Sequence, residues 1–210
     1  QPREEFLAAH SLPDKKFLAL LAGSRKEEIK RMMPVYMQLA DELARTKGFE
    51  DFEFLLAGAP ARSREDYEVW IAGRSNVHLI FNDTYGILHN SVSAVINSGT
   101  ASLEAALIGT PQVVCWTTSA VNAFIAQNIF HILDRIKYIS LGNLILDKSV
   151  FRELIQTDFT LENVLAEVQS ITLDDTRRCA MLADYAQIRA SLGGTGTSIA
   201  VAQSMVDLIK

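Results

Sequence analysis

Phe17-Leu18-Ala19-Leu20-Leu21-Ala22-Gly23-Ser24-Arg25-Lys26-Glu27-Glu28-Ile29 is the stretch on which the fold turns. Six apolar residues follow one another, a small polar turn ends the run, and an amphipathic segment begins. A half-buried strand alternates apolar and polar residues. A strand covered on both faces is apolar throughout, as in the centre of a parallel sheet. The glycine and serine sit where such a strand gives way to a helix. The unit therefore reads as strand, tight turn, helix.

The same unit recurs along the chain. Further strands are expected over 52–57, 78–81, 94–97, 112–116 and 137–141. Helices are expected over 26–46, 65–72, 84–90, 101–108 and 120–134, with an interruption of the first at Pro34, because proline clashes with the preceding turn. Alternation of this kind implies α/β architecture, a Rossmann-like doubly wound parallel sheet. After residue 141 the strands are expected to stop, and 150–156, 161–171, 176–191 and 197–209 read as helices. Leu192-Gly193-Gly194-Thr195-Gly196 stops one helix before another starts. Residues 1–192 are thus expected to form the sheet domain, and 193–210 a terminal helix that packs elsewhere.

Composition bounds the function. The chain has 210 residues, 49% hydrophobic and 21% charged, with a formal net charge of -5. That length buries a sizeable core without disulfides or metals. The negative balance argues against a nucleic-acid partner, which needs a basic face. Cys115 and Cys179 form no CxxC pattern, and the four histidines (His10, His78, His89, His131) have no metal-ligand spacing. No metal and no cofactor is expected, and a reducing cytoplasmic setting fits. The chain begins Gln-Pro-Arg-Glu-Glu, with neither an initiator methionine nor a signal peptide, as a piece starting mid-protein would. Between Thr84 and Leu133 the one charged side chain is Glu104. Glycines, Pro111 and many Thr, Asn and Ser residues break that run, so it reads as the domain centre and not as a membrane span.

Three constellations carry chemistry. Gly23-Ser24-Arg25 lies where strand meets helix, and a helix N-terminus exposes unpaired amides and partial positive charge. Glycine admits an anion close to the backbone and arginine adds a bidentate donor, which suits a phosphate or pyrophosphate. A tight turn with a serine cap and a solvated arginine explains the same residues. Asn97-Ser98-Gly99-Thr100, followed by Ala101-Ser102-Leu103-Glu104-Ala105-Ala106, has the same architecture. Glu104, one turn into its helix, is costly in an apolar region without a partner. Ribose hydroxyls would supply one, and so would a local cation or the helix dipole. Asn143, in Tyr138-Ile139-Ser140-Leu141-Gly142-Asn143, suits either the reading of a base edge or acceptor hydroxyl, or ordinary turn chemistry. Gly109-Thr110-Pro111 reads as a helix stop.

The same segments resemble one family. Gly23-Ser24-Arg25 with Glu28-Ile29 is similar to the Pro-Gly-Ser-Arg-x-x-Glu-Ile segment of lipid-A-disaccharide synthases. Ser98-Gly99-Thr100-Ala101-Ser102-Leu103-Glu104-Ala105-Ala106-Leu107 is similar to that family's Ser-Gly-Thr-Ala-Thr-Leu-Glu-Ala-Ala-Leu. Gly109-Thr110-Pro111 follows, as there. Tyr138-Ile139-Ser140-Leu141-Gly142-Asn143 resembles Tyr-Ile-Ser-Leu-Pro-Asn, and Glu153-Leu154-Ile155-Gln156 resembles Glu-Leu-x-Gln. Four matches in order cover nearly the whole chain and the C-terminal half of the family's protein. Ala22 and Gly142 stand where the pattern has proline, which implies looser loops.

The resemblance implies a GT-B glycosyltransferase, with two Rossmann-like domains and an active site between them. This half would hold the UDP of a UDP-diacylglucosamine donor. The reaction passes diacylglucosamine to diacylglucosamine 1-phosphate without a metal. Gly23, Ser24, Arg25 and the turn Ser98, Gly99, Thr100 would contact the diphosphate or neighbouring groups. Glu104 would hold the ribose and Asn143 would line the pocket. The catalytic acidic and basic residues would belong to a partnering N-terminal half, so this half would be inactive alone. A homodimer and a peripheral contact with the inner membrane stay open. The apolar stretch 121–136 reads as core or domain interface, with a lipid-facing surface as the alternative. A dinucleotide dehydrogenase would need GxGxxG after the first strand, which the sequence lacks. Another GT-B enzyme of UDP-sugars, or a silent nucleotide-binding module, are the remaining alternatives.

Overall fold

The computed structural model describes residues 2–118 and 137–193. The helices expected over 120–134 and 197–209, and the whole of the 121–136 surface, lie outside these residues. Six strands build one sheet: β1 (Lys16–Leu21), β2 (Phe52–Gly58), β3 (Val77–Phe81), β4 (Ser93–Asn97), β5 (Gln112–Trp116) and β6 (Glu153–Ile155). All pair in parallel, in the order β3-β2-β1-β4-β5-β6. Winding runs outward from β1 in one direction and from β4 in the other. The carboxyl ends of β1 and β4 therefore flank a topological switch point, where such sheets take ligands.

The run of apolar residues in β1 is explained by two layers of helices. Leu18 and Leu20 pack into one core with α2 (Lys26–Leu43) and α7 (Leu161–Leu173). Phe17, Ala19 and Leu21 pack into a second core with Phe6 of α1 (Arg3–His10), Ile87 and Leu88 of α4 (Thr84–Asn90) and Ala105 of α5 (Thr100–Ile108). The strand thus has no wet face. Burying each leucine contributes roughly 1.5–3 kcal/mol. A third core joins α5 to α8 (Asp175–Ser191) through Ala106, Met181, Tyr185 and Ile188. α3 (Glu65–Ile71) covers the β2–β3 edge through Tyr67.

Three expectations are corrected. α2 runs unbroken through Pro34. Ile29, Met32, Met33, Tyr36, Leu39, Ala40 and Leu43 form one buried stripe, and that packing outweighs the one hydrogen bond proline removes. The stretch 137–141 is no strand. It is a loop entering α6 (Leu141–Leu146). The sixth strand comes instead from Glu153–Ile155, inside the segment expected to be helical, and pairs with β5 through Leu154 opposite Cys115. Strand β6 has three residues at the sheet edge, too few to show a period. α1 and α6 fall outside the expected helices altogether.

Candidate functional site

The turns after β1 and β4 open into one cleft of about 360 Å³. Gly23, Ser24 and Arg25 form one wall. Ser98, Gly99, Thr100 and Glu104 form the other, and Ala57–Pro60 at the end of β2 closes a third side with Thr84. Seven of the eight expected site residues are thereby brought together. Arg25 is the single cation among the described lining residues, facing two carboxylates, Glu28 and Glu104.

The first turn is already filled from within. Gly23 has a left-handed backbone, with φ of 93°. A Cβ there would stand 2.6 Å from Asn97 Nδ2 and would collide with Glu28 Oε2. Glycine is required on both counts. The Glu28 carboxylate reaches back over the start of α2. Its Oε2 accepts from the amides of Ser24 at 3.0 Å and Arg25 at 3.1 Å, and its Oε1 accepts from Arg25 Nη1 at 2.9 Å. A carboxylate on these amides satisfies orphan donors and complements the helix dipole. The Arg25 side chain is 84% exposed and lines the cleft. Tyr36 OH donates to the Leu21 carbonyl at 3.2 Å and fixes α2 against the end of β1.

The second turn is vacant. The N-cap of α5 is Gly99, which offers no capping side chain. A Cβ on Gly99 would meet nothing nearer than the Asn97 carbonyl at 4.0 Å, so the space above its backbone is clear. Ser102 Oγ turns inward to the Gly99 carbonyl at 2.8 Å. The first amides of α5 face the cleft with no side-chain cap. Among the described residues Glu104, half-buried on the same helix, makes no hydrogen bond or ion pair. Amides with open space before them suit an anion, and an unpartnered carboxylate a few residues on suits hydroxyl donors.

Asn143 is not part of this cleft, which corrects its expected role. Its side chain is fully buried. Oδ1 accepts from the amides of Val150 at 2.9 Å and Phe151 at 3.3 Å. Nδ2 donates to the Phe151 carbonyl and to Glu153 Oε1, both at 2.9 Å. The amide is fully occupied in tying α6 to β6. Glu153 completes the knot by accepting from the amides of Ile139 and Ser140, each at 2.9 Å. Gly142 is not slack either, because a Cβ there would lie 2.9 Å from the Phe151 ring. Gln156, the last residue of that motif, is left-handed with φ of 52° and accepts from the Thr118 amide at 2.8 Å.

Sequence reasoning missed Glu28 as a cap, and placed Asn97 at the head of its motif without giving it a role at the floor of the cleft. The signal for the first was a glutamate at the third helical position. The signal for the second was an amide closing an otherwise buried strand at a ligand-binding sheet end. Ionisable groups at the far end of the sheet belong elsewhere. Burial alone would raise the Glu53 carboxyl, but hydrogen bonds from His78 and Lys15 outweigh it and hold it below its usual value.

The fold and the cleft define a class. Six parallel strands with a crevice at the switch point are a Rossmann-like, nucleotide-binding architecture. WaaG, a glycosyltransferase involved in lipopolysaccharide biosynthesis, superposes with a TM-score of 0.56 at 15% identity, over 87% of this chain and 45% of that one. A UDP co-structure of MnaA from S. aureus gives 0.53 at 17%, over 85% and 41%. The family model for lipid-A-disaccharide synthetase matches residues 2–200. The chain belongs to the lipid-A-disaccharide synthase family. Its similarity to the synthase of Acidobacterium capsulatum is 33% identity over 93% of this chain and 50% of the relative. For Syntrophus aciditrophicus the identity is 34% over 99% and 54%. The chain spans about half the length of the curated relatives it matches.

Proposed function

We propose that this chain binds the UDP of a UDP-diacylglucosamine donor, as the nucleotide-sugar half of a lipid-A-disaccharide synthase. The uncapped start of α5, open above Gly99 and flanked by Arg25 and Glu104, is the observation that carries the reading. The diphosphate lies at the Ser98-Gly99-Thr100 turn, where amide donors and the helix dipole meet it. Arg25 leaves Glu28 to pair with a phosphoryl oxygen, a bidentate contact that favours the anion. Glu104 accepts from the ribose hydroxyls. Gly23 and Ser24 shape the opposite wall.

In the full reaction, diacylglucosamine passes to diacylglucosamine 1-phosphate and UDP leaves. The helix start and Arg25 stabilise the leaving diphosphate in place of a divalent cation. An N-terminal half supplies the catalytic acid–base groups, so this half alone is inactive. In this reading residues 1–192 form the donor domain, with 193–210 assigned to that other half or to a partner. The reading places the protein in the cytoplasm, with a homodimer and a peripheral contact with the inner membrane compatible with it. Among the described residues no helix is long and apolar enough to cross a membrane.

Calorimetric titration of the protein with UDP, without added metal and with NAD as the comparison, tests the site. Saturable UDP binding, about tenfold weaker in Glu104→Gln and absent for NAD, is expected. That loss is the size of about one hydrogen bond to a charged group. A folded sample that binds UDP no better than NAD overturns the reading.

A further inference from the structure

We infer that Asn97 is a ligand-contacting residue of the cleft, donating from Nδ2 to a phosphoryl oxygen of the bound nucleoside diphosphate. The inference rests on the reading of the cleft as a nucleotide site and adds a recognition group to it. Asn97 closes β4, opposite Cys115 of β5, and stands at the carboxyl end of the sheet where the winding reverses. It is 7% exposed, yet among the described residues its side chain makes no hydrogen bond. The NH2 groups of the other buried amides are all engaged, although Gln112 Oε1 has no partner. Asn90 donates to the Gly86 carbonyl, Gln112 to the Ser102 carbonyl and Tyr185, and Asn143 uses both ends of its amide. The Asn97 amide faces the cleft and not the core, so an NH2 group left without a protein partner on so enclosed a side chain points to a ligand atom as its acceptor.

The position specifies which ligand atom. Asn97 Nδ2 lies against Gly23, on the side of the cleft where Glu28 occupies the α2 amides. Gly99, two residues on, begins the vacant α5 turn. Nδ2 therefore stands between the filled turn and the open one. An oxygen seated on the α5 amides from above Gly99 comes within its reach. The cleft already carries two carboxylates against one guanidinium. A neutral amide adds a donor there without the desolvation cost of a second cation.

The test compares UDP with uridine on the whole chain, by calorimetry, for wild type, Asn97→Ala and Asn97→Asp. Asn97→Ala is expected to weaken UDP about tenfold and leave uridine unchanged, because the lost donor serves the diphosphate alone. Asn97→Asp is expected to weaken UDP further, by about 100-fold, because it sets a carboxylate against the phosphates. Thermal melting checks that each variant folds. If either does not, Asn97→Ser keeps a short donor and is expected to fall between wild type and the tenfold loss. UDP binding at wild-type strength in the folded variants overturns the inference while leaving the nucleotide site standing. Equal weakening of UDP and uridine also overturns it, since the effect is then on cleft shape. A wild-type protein that binds no UDP overturns the nucleotide reading and this inference together.

Discussion

The turns after β1 and β4 are nearly the same object in sequence and opposite objects in structure. Each is a strand end, a glycine, small polar residues and the start of a helix. At the first, Glu28 reaches back and occupies the amides of Ser24 and Arg25. At the second, Gly99 leaves the helix start bare and the space above it clear. A helix N-terminus becomes an anion site when nothing in the chain satisfies it first. The difference divides the labour across the cleft. The β4 turn offers the backbone donors, and the β1 turn offers a guanidinium on a short tether. The Arg25–Glu28 ion pair is mostly exposed on the arginine side, so it contributes little to stability and is readily exchanged for a phosphate.

The sharpest way to break the comparison is to give the second turn what the first already has. Gly99→Asp places a capping carboxylate at the start of α5. Gly99 has φ of 169°, which any residue adopts, and the added Cβ has room. The variant is expected to melt slightly higher, since an aspartate cap exceeds a glycine cap by only about a few tenths of a kcal/mol. It is expected to lose UDP by about 100-fold, because its own carboxylate takes the anion's place. Undiminished UDP affinity in a stabilised variant would show that the phosphates bind elsewhere. Arg25→Ala comes next. It is expected to weaken UDP about tenfold and to flatten the dependence of affinity on salt, with the melting temperature nearly unchanged. A titration series across ionic strength separates that outcome from a uniform loss. A third variant marks the boundary of the site. Asn143→Ala strands the amides and the carboxylate it serves, so it is expected to cost about 2–3 kcal/mol in denaturant unfolding. UDP affinity per folded molecule should not change. A selective loss of UDP would return Asn143 to the pocket.

How far the sequence reaches is clear from particular residues. The runs 17–21, 52–57 and 94–97, apolar but for Glu53 and Asn97, disclose strands covered on both faces, and the glycine turns after two of them disclose the cleft. What those runs cannot disclose is which turn is vacant. That depends on the direction in which one glutamate side chain points. The Asn143 motif shows the opposite limit. Its residues were legible as a set, because Asn143 and Glu153 are coupled through one hydrogen bond and a shared loop. Their role was not, because a motif held together by burial looks like one held together by a ligand. The three-residue β6 was illegible for a simpler reason. An edge strand of that length is defined by its partner β5 and not by any period of its own.

The smallest expected effect is the most discriminating about the first turn. Glu28→Gln keeps an amide oxygen on the Ser24 and Arg25 amides and removes the charge. The helix loses its interaction with the dipole and the ion pair to Arg25, which together amount to about 1 kcal/mol. The melting temperature should fall by a few degrees. UDP affinity should move the other way. The diphosphate no longer faces a carboxylate beside its cleft, and Arg25 no longer has a competing partner. A gain of about threefold is expected, corresponding to roughly 0.7 kcal/mol. If Glu28 instead served to hold Arg25 ready for the nucleotide, the same substitution would weaken UDP. The sign of the change therefore decides whether the first turn opposes the ligand until it arrives or prepares for it, and the opposite stability shift shows that the variant has kept its fold.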